Sequence, residues 1–311
     1  MSKAPWSSDR ELDATRVRAL LSSRFPELEG KDVRYLAEGW DSQVFEVDGR
    51  LVFRFPKRAE VERDFVAETA LLPALERHLA AAQAGFSVPR FDYRGAPDAL
   101  FPYLWVGYEK LPGVQAFEVD PAAVPVAQVA HLGRALTALH AFPVAEARAL
   151  GVPGPLPSRA LAHMVSRALA VLPPLAAALG APLAAQVQVA LAEARVPEHD
   201  GALVLVHNDL RAEHMLLDAT SGMLTGVIDW SDAALGDPAV DFVGLECWGG
   251  RALTARALAA YGGPVDAGFL DRVRLRALCV GVYGAYFGAT QHLPDELARA
   301  RAELTTTLGA A

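Results

Sequence analysis

A chain of 311 residues with 52% hydrophobic and 21% charged side chains can bury a large core, in about two lobes by its length, and is too apolar to be disordered. Its net charge of −8 disfavours a nucleic-acid partner, whose phosphates select basic surfaces. Its only two cysteines, Cys247 and Cys279, lie in apolar surroundings, and charges replace an apolar signal core near the N-terminus, so a cytoplasmic protein without disulfide or membrane span is expected.

Residues 11–24 read as a helix, and strand signals begin near Val33. Residues 35–47, YLAEGWDSQVFEV, have the pattern of a strand, a turn and a returning strand. Asp48-Gly49 is a tight-turn signal, and 51–55 is the next strand. A helix over 61–81 follows, then strands over 88–93 and 104–111, the last ended by Pro112-Gly113. This predicts a five-stranded antiparallel sheet with one main helix. Beyond it the pattern turns helical: Val129, Leu132, Leu136 and Leu139 share one face of a helix ending near His140. The most apolar stretch, 169–191, is interrupted by Pro173, Pro174 and Pro182, which suits a pair of packed helices and makes a poor membrane span. Apart from a short hairpin region around 203–229, the remainder reads as helices.

Residues 206–242, VHNDLRAEHMLLDATSGMLTGVIDWSDAALGDPAVDF, hold the clearest chemistry. A His-x-Asp pair, His207 and Asp209, is followed five residues later by His214, and Asp229 comes at the end of the apolar run Gly226-Val227-Ile228. Phosphoryl transfer needs such a set: one carboxylate faces the attacking hydroxyl, while a second carboxylate and a neutral ligand hold Mg²⁺ against the phosphates. In order and at these separations, the residues resemble the aminoglycoside phosphotransferase family, small-molecule kinases built on the protein-kinase fold. The match runs from about Tyr35 to Phe242. His214 at a position where protein kinases carry Asn resembles some members of the 2''-phosphotransferase branch, as does Gly236-Asp237-Pro238 followed by Asp241-Phe242. The resemblance implies an α+β, protein-kinase-like two-lobe fold: a nucleotide-binding lobe over 1–111, and a larger, mainly helical catalytic and acceptor-binding lobe over 112–311.

It also implies roles. Asp209 would orient the acceptor hydroxyl and accept its proton, with His207 bracing the loop; His214 and Asp229 would hold Mg²⁺. Asp232 could assist, with a surface turn as its expected place; Asp237 and Asp241 resemble structural or substrate-side carboxylates, and Asp237 would cap a helix starting at Pro238. The turn Glu38-Gly39-Trp40-Asp41-Ser42 takes the place of the Gly-rich loop, with Gly39 allowing close backbone approach and Ser42 donating to a phosphate; no Walker-A pattern is present. The phosphate-pairing cation falls on Arg54, partnered by Glu68. Lys57, the alternative, lies past the strand end and is expected to face solvent. Backbone groups of Tyr108, Glu109 and Lys110 would meet the purine of ATP or GTP. Residues 112–311 carry a charge of −6 against −2 for 1–111, which suits a cationic, aminoglycoside-like acceptor lined by Glu213, Asp241 and Glu246. Trp248 and Tyr283 offer apolar walls, although core packing is their default use. A macrolide, a sugar, homoserine or a choline-like alcohol are alternative acceptors, and a non-catalytic nucleotide-binding protein is the rival reading. No Ala-Pro-Glu segment follows Asp229, which disfavours a protein substrate.

Overall fold

The computed structural model describes residues 8–39 and 41–309, and these divide between two compact units, one running up to Arg77 together with Ser87–Leu111, the other comprising His78–Phe86 and the described chain from Pro112 onward. The first unit opens with α1 (Ala14–Arg24), whose N-terminus is capped by the Asp13 carboxylate accepting from Arg16 N at 2.8 Å. Strands β1 (Val33–Glu38), β2 (Ser42–Val47) and β3 (Leu51–Pro56) follow, then α2 (Ala59–Ala81), β4 (Tyr93–Gly95) and β5 (Trp105–Glu109). They form a five-stranded antiparallel sheet in the order β1-β2-β3-β5-β4, as the sequence pattern predicted. Asp48 and Gly49 turn the β2–β3 corner with φ of 52° and 68°, a left-handed conformation that glycine adopts freely and aspartate tolerates. The strand expected over 88–93 is observed only from Tyr93, because Pro89 has no N–H to give to a ladder.

Strand alternation divides β3. Phe53 and Phe55 enter a core with Phe45, Trp105 and the Val17, Leu20 and Leu21 face of α1. Arg54, between them, points to the opposite face, where α2 supplies Glu68.

The second unit contains, in chain order, β6 (Val114–Gln115), α3 (Val126–His140), α4 (Val144–Ala149), α5 (Leu161–Val171), α6 (Ala176–Leu179) and α7 (Ala181–Ala192). Next come β7 (Val204–Val206), β8 (Met215–Leu217), β9 (Leu224–Val227), β10 (Ala234–Gly236), α8 (Val243–Ala259), α9 (Phe269–Thr290) and α10 (Pro294–Leu308). The apolar 169–191 stretch is a set of short helices, bent by 50° at the Pro173 break and packed with α9 and α10 around Leu179, Val187, Leu278 and Leu304. Among the described residues no single helix is long and apolar enough to cross a membrane. The 203–229 region is not one hairpin: β8 lies between β6 and β9 and pairs with both, whereas β7 pairs with β10. Both cysteines are buried and unbonded, and burial pushes the Cys279 thiol up to about 12.

Candidate active site

In the first unit Arg54 and Glu68 meet at 2.7 Å, with only 4% and 1% of their surfaces exposed, and the guanidinium stacks over the Phe65 ring. Lys57 departs from expectation: it is buried, not solvent-facing. Its backbone N–H donates to Asp41 O, which folds the chain after β3 against the 38–42 turn, and its ammonium sits 2.5 Å from Glu38 Oε1 and donates to Gly39 O. Gly39 N–H donates to Ser42 O at 2.9 Å. A Cβ added at Gly39 would meet only Ser42 O, at 3.9 Å, among the described atoms. Nothing described inside the unit therefore demands glycine there. Ser42 is buried in β2, and Trp40 of the same turn lies outside the described residues.

Tyr108 is buried against Phe91, Glu109 pairs with Arg50, and the Lys110 ammonium pairs with Glu46 at 2.9 Å. Lys110 N–H donates to Arg50 O, so of the three proposed purine-contacting positions this amide is already committed to the sheet.

In the second unit the loop carrying Asp209 leads into β8, and Asp229 follows β9, so a short hairpin brings both carboxylates to one mouth. His214 stands between them. Its Nδ1–H donates to Asp209 O at 2.7 Å, which leaves Nε2 facing Asp229 Oδ2 at 3.9 Å. Burial alone would push the His214 pKa down; Asp209, Asp229 and Glu213 outweigh it, and the net shift is upward. The Asp209 and Asp229 side chains stay 40% exposed. Among the described residues no group of three potential metal ligands occurs. A two-residue set suits Mg²⁺, which keeps several waters and takes its remaining ligands from phosphate.

His207 is buried, edge-on to Trp230, and donates Nε2–H to Ile228 O at 3.0 Å while Nδ1 accepts from Asp209 N. Burial pushes its pKa down, against the pull of Asp241, and both bonds require the neutral ring.

Two proposed acceptor carboxylates are placed differently from expectation. Asp241 has no exposed surface; it accepts from His207 N at 2.8 Å and Asn208 N at 2.9 Å, and its Oδ2 lies 3.1 Å from His140 Nε2. Glu246 is equally buried, 3.2 Å from Arg251 Nε. The cause is the approach of α8, which runs beneath the Asp209 loop: a Cβ at Gly244 would fall 1.9 Å from Leu210 O. That contact turns the first turn of α8 and the preceding 3-10 turn, Pro238–Phe242, inward. Glu213 keeps part of its surface and pairs with Arg211 Nε at 2.9 Å; burial would raise its pKa, but Arg211 and His214 hold it low. Arg211 also binds Glu303 of α10, a partner 92 residues away that no local signal announced. Asp237 caps its turn by accepting from Ala239 N, and it also binds the buried Arg272. Tyr283 packs with the α5–α7–α9–α10 core, and Trp248 donates to Val119 O.

A family model, the phosphotransferase enzyme family (APH), matches residues 32–278. The chain is 29% identical over 228 residues to an aminoglycoside 3'-phosphotransferase of Streptomyces ribosidificus, covering 70% of this chain and 80% of the relative. It is 34% identical over 99 residues to the viomycin phosphotransferase of Streptomyces vinaceus, a match that spans only 30% of this chain and 34% of that relative's length. Among solved structures, the GDP and kanamycin complex of APH(2")-IIia superposes with a TM-score of 0.72 at 26% identity, covering 93% of this chain and 97% of the other.

Proposed function

The chain belongs to the phosphotransferase enzyme family, and from that membership we propose that it is a Mg²⁺-dependent kinase moving the γ-phosphoryl group of ATP or GTP to a hydroxyl of an amino-bearing small molecule of aminoglycoside type. The observation that carries this reading is the meeting of Asp209, His214 and Asp229 at the mouth of the β8–β9 hairpin. Asp209 accepts the proton of the acceptor hydroxyl as its oxygen bonds to the γ-phosphorus, while the bond from that phosphorus to the β-phosphate oxygen breaks and a nucleoside diphosphate leaves. His214 Nε2 and Asp229 would hold a Mg²⁺ ion, which would supply positive charge to offset that of the phosphates. Arg54, fixed by Glu68, would take a phosphate oxygen with its planar fork. Gly39 and Ser42, and the backbone of Tyr108 and Glu109, would serve the nucleotide.

For the acceptor, support comes from relatives that act on aminoglycosides and viomycin and from the neighbour bound to kanamycin. One observation favours a second reading. Glu213, Glu303, Glu246 and Asp232 each carry an arginine partner, so less free negative charge surrounds Asp209 than the −6 balance suggests. An alcohol with few or no ammonium groups, such as a macrolide, would suit that surface. A screen of the purified protein for acceptor-dependent nucleotide consumption decides: turnover with kanamycin-like compounds is expected. Turnover confined to neutral alcohols would replace the acceptor and keep the kinase; no turnover with any alcohol would leave a nucleotide-binding protein.

A further inference from the structure

We infer that Arg159, in the 3-10 turn Pro157–Arg159 before α5, is a positioning residue that clamps the loop of the catalytic base to the loop of the metal carboxylate. This rests on the kinase reading for its effect on rate, though not for the clamp itself.

Arg159 Nη1 donates to Asn208 O at 3.3 Å and Nη2 donates to Asp232 Oδ1 at 2.6 Å, so one guanidinium joins the residue before Asp209 to the residue three beyond Asp229. Asn208 closes the triangle by donating Nδ2–H to Asp232 O at 3.0 Å. Its backbone N–H is taken by Asp241, so Asn208 is bound through its N–H, its carbonyl and its side chain. That fixation has a purpose, because Asn208 sits at φ 68° and Asp229 at φ 62°. Both are left-handed positions that cost free energy unless their surroundings over-determine them. Losing the clamp frees the peptide that aims the Asp209 carboxylate, and small misplacements of a reacting group are expensive in rate.

The arginine is itself held. Arg276 of α9 donates Nη1–H to Arg159 O at 3.0 Å, and among the described residues Arg276 makes no ion pair with a carboxylate. A largely buried guanidinium spent on one backbone carbonyl and the Met164 sulfur fixes the turn from which Arg159 reaches out. The clamp thus comes from the helical segment between α3 and β7, outside the run of residues that carries the chemistry.

The test compares wild type with Arg159→Ala, Arg159→Lys, Asp232→Asn and the Arg159→Ala/Asp232→Asn double variant. Two readouts are used: steady-state kinetics, and amide hydrogen exchange over 206–214 and 228–236. Arg159→Ala should lower kcat about 10- to 100-fold, the range for one charge-assisted hydrogen bond, with nucleotide KM within about threefold. It should also speed exchange in both segments. Arg159→Lys should recover only part of the rate, since a point-like ammonium cannot span two acceptors; it carries the same test should the alanine variant not fold. The double variant should lose no more than the worse single variant. Unchanged kcat and exchange in a folded Arg159→Ala or Arg159→Lys protein, or additive losses in the double variant, would overturn the clamp. Faster exchange in a protein whose wild type transfers no phosphoryl group would refute the kinase reading and leave the clamp standing.

Discussion

Asp209 and His214 share one short loop, and the separate roles proposed for them each make a prediction. Asp209→Asn preserves size and keeps an acceptor oxygen but removes the basic carboxylate. Its kcat should fall by about 10²–10⁴ with nucleotide affinity intact, the span for a positioned general base. Near-normal turnover in that variant would remove Asp209 from the reaction. His214 presents Nε2 toward Asp229 because Nδ1–H is committed to Asp209 O, the orientation that the proposed metal-ligand role needs. His214→Ala should therefore raise the Mg²⁺ concentration for half-maximal activity by about 10-fold or more, in line with the loss of one metal contact. A Mg²⁺ titration that superposes on wild type would make His214 a brace only.

Between elements, buried ion pairs set the register of helix against sheet and turn. The Arg54–Glu68 contact joins β3 to α2 with both side chains nearly out of water. Glu68→Ala leaves a buried guanidinium without this carboxylate, and should destabilise the protein by about 3–5 kcal/mol in chemical denaturation. A change within error would mean that water reaches Arg54. Arg272 of α9 ties Asp266, ahead of its own helix, to the Asp237 turn at 2.8 Å each. The hydrogen bond from Arg272 holds the Asp266 carboxyl below its ordinary value, with burial opposing. A lowered carboxylate pKa contributes stability above the unfolded value of about 3.9 and loses it as pH falls through the folded value. Asp266→Asn should thus lower Tm at pH 7, and the gap to wild type should close as the pH is taken below about 3. A gap that stays constant with pH would mean the bond, not the charge, matters there.

Over the whole molecule, charge decides between the two acceptor readings more simply than any single residue. Residues 112–311 carry −6, yet several carboxylates around Asp209 are matched by arginine. If the acceptor is polycationic, its KM should rise several-fold, roughly 3- to 10-fold, between low and moderate salt as the Debye length shrinks. Nucleotide KM should move less. A salt-insensitive acceptor KM would favour the less cationic alcohol.

Local order in the sequence determined the sheet, α2, α3, and the Asp209–His214–Asp229 set, because strand alternation, helical periodicity and spacing across a hairpin act over a few residues and survive any packing. The Asp237 cap before Pro238 was legible for the same reason. Only the tertiary structure decided which way the remaining charges point. Asp241 and Glu246 read as exposed carboxylates until α8, pressed against Leu210 through Gly244, turned them inward. Lys57 read as a solvent-facing residue until the 38–42 turn folded over it. The partners of Arg211 and Arg159 lie 92 and 73 residues away in sequence. Side-chain direction at such positions depends on which element packs against it, and nothing within a few residues of Asp241, Lys57 or Arg159 encodes that neighbour.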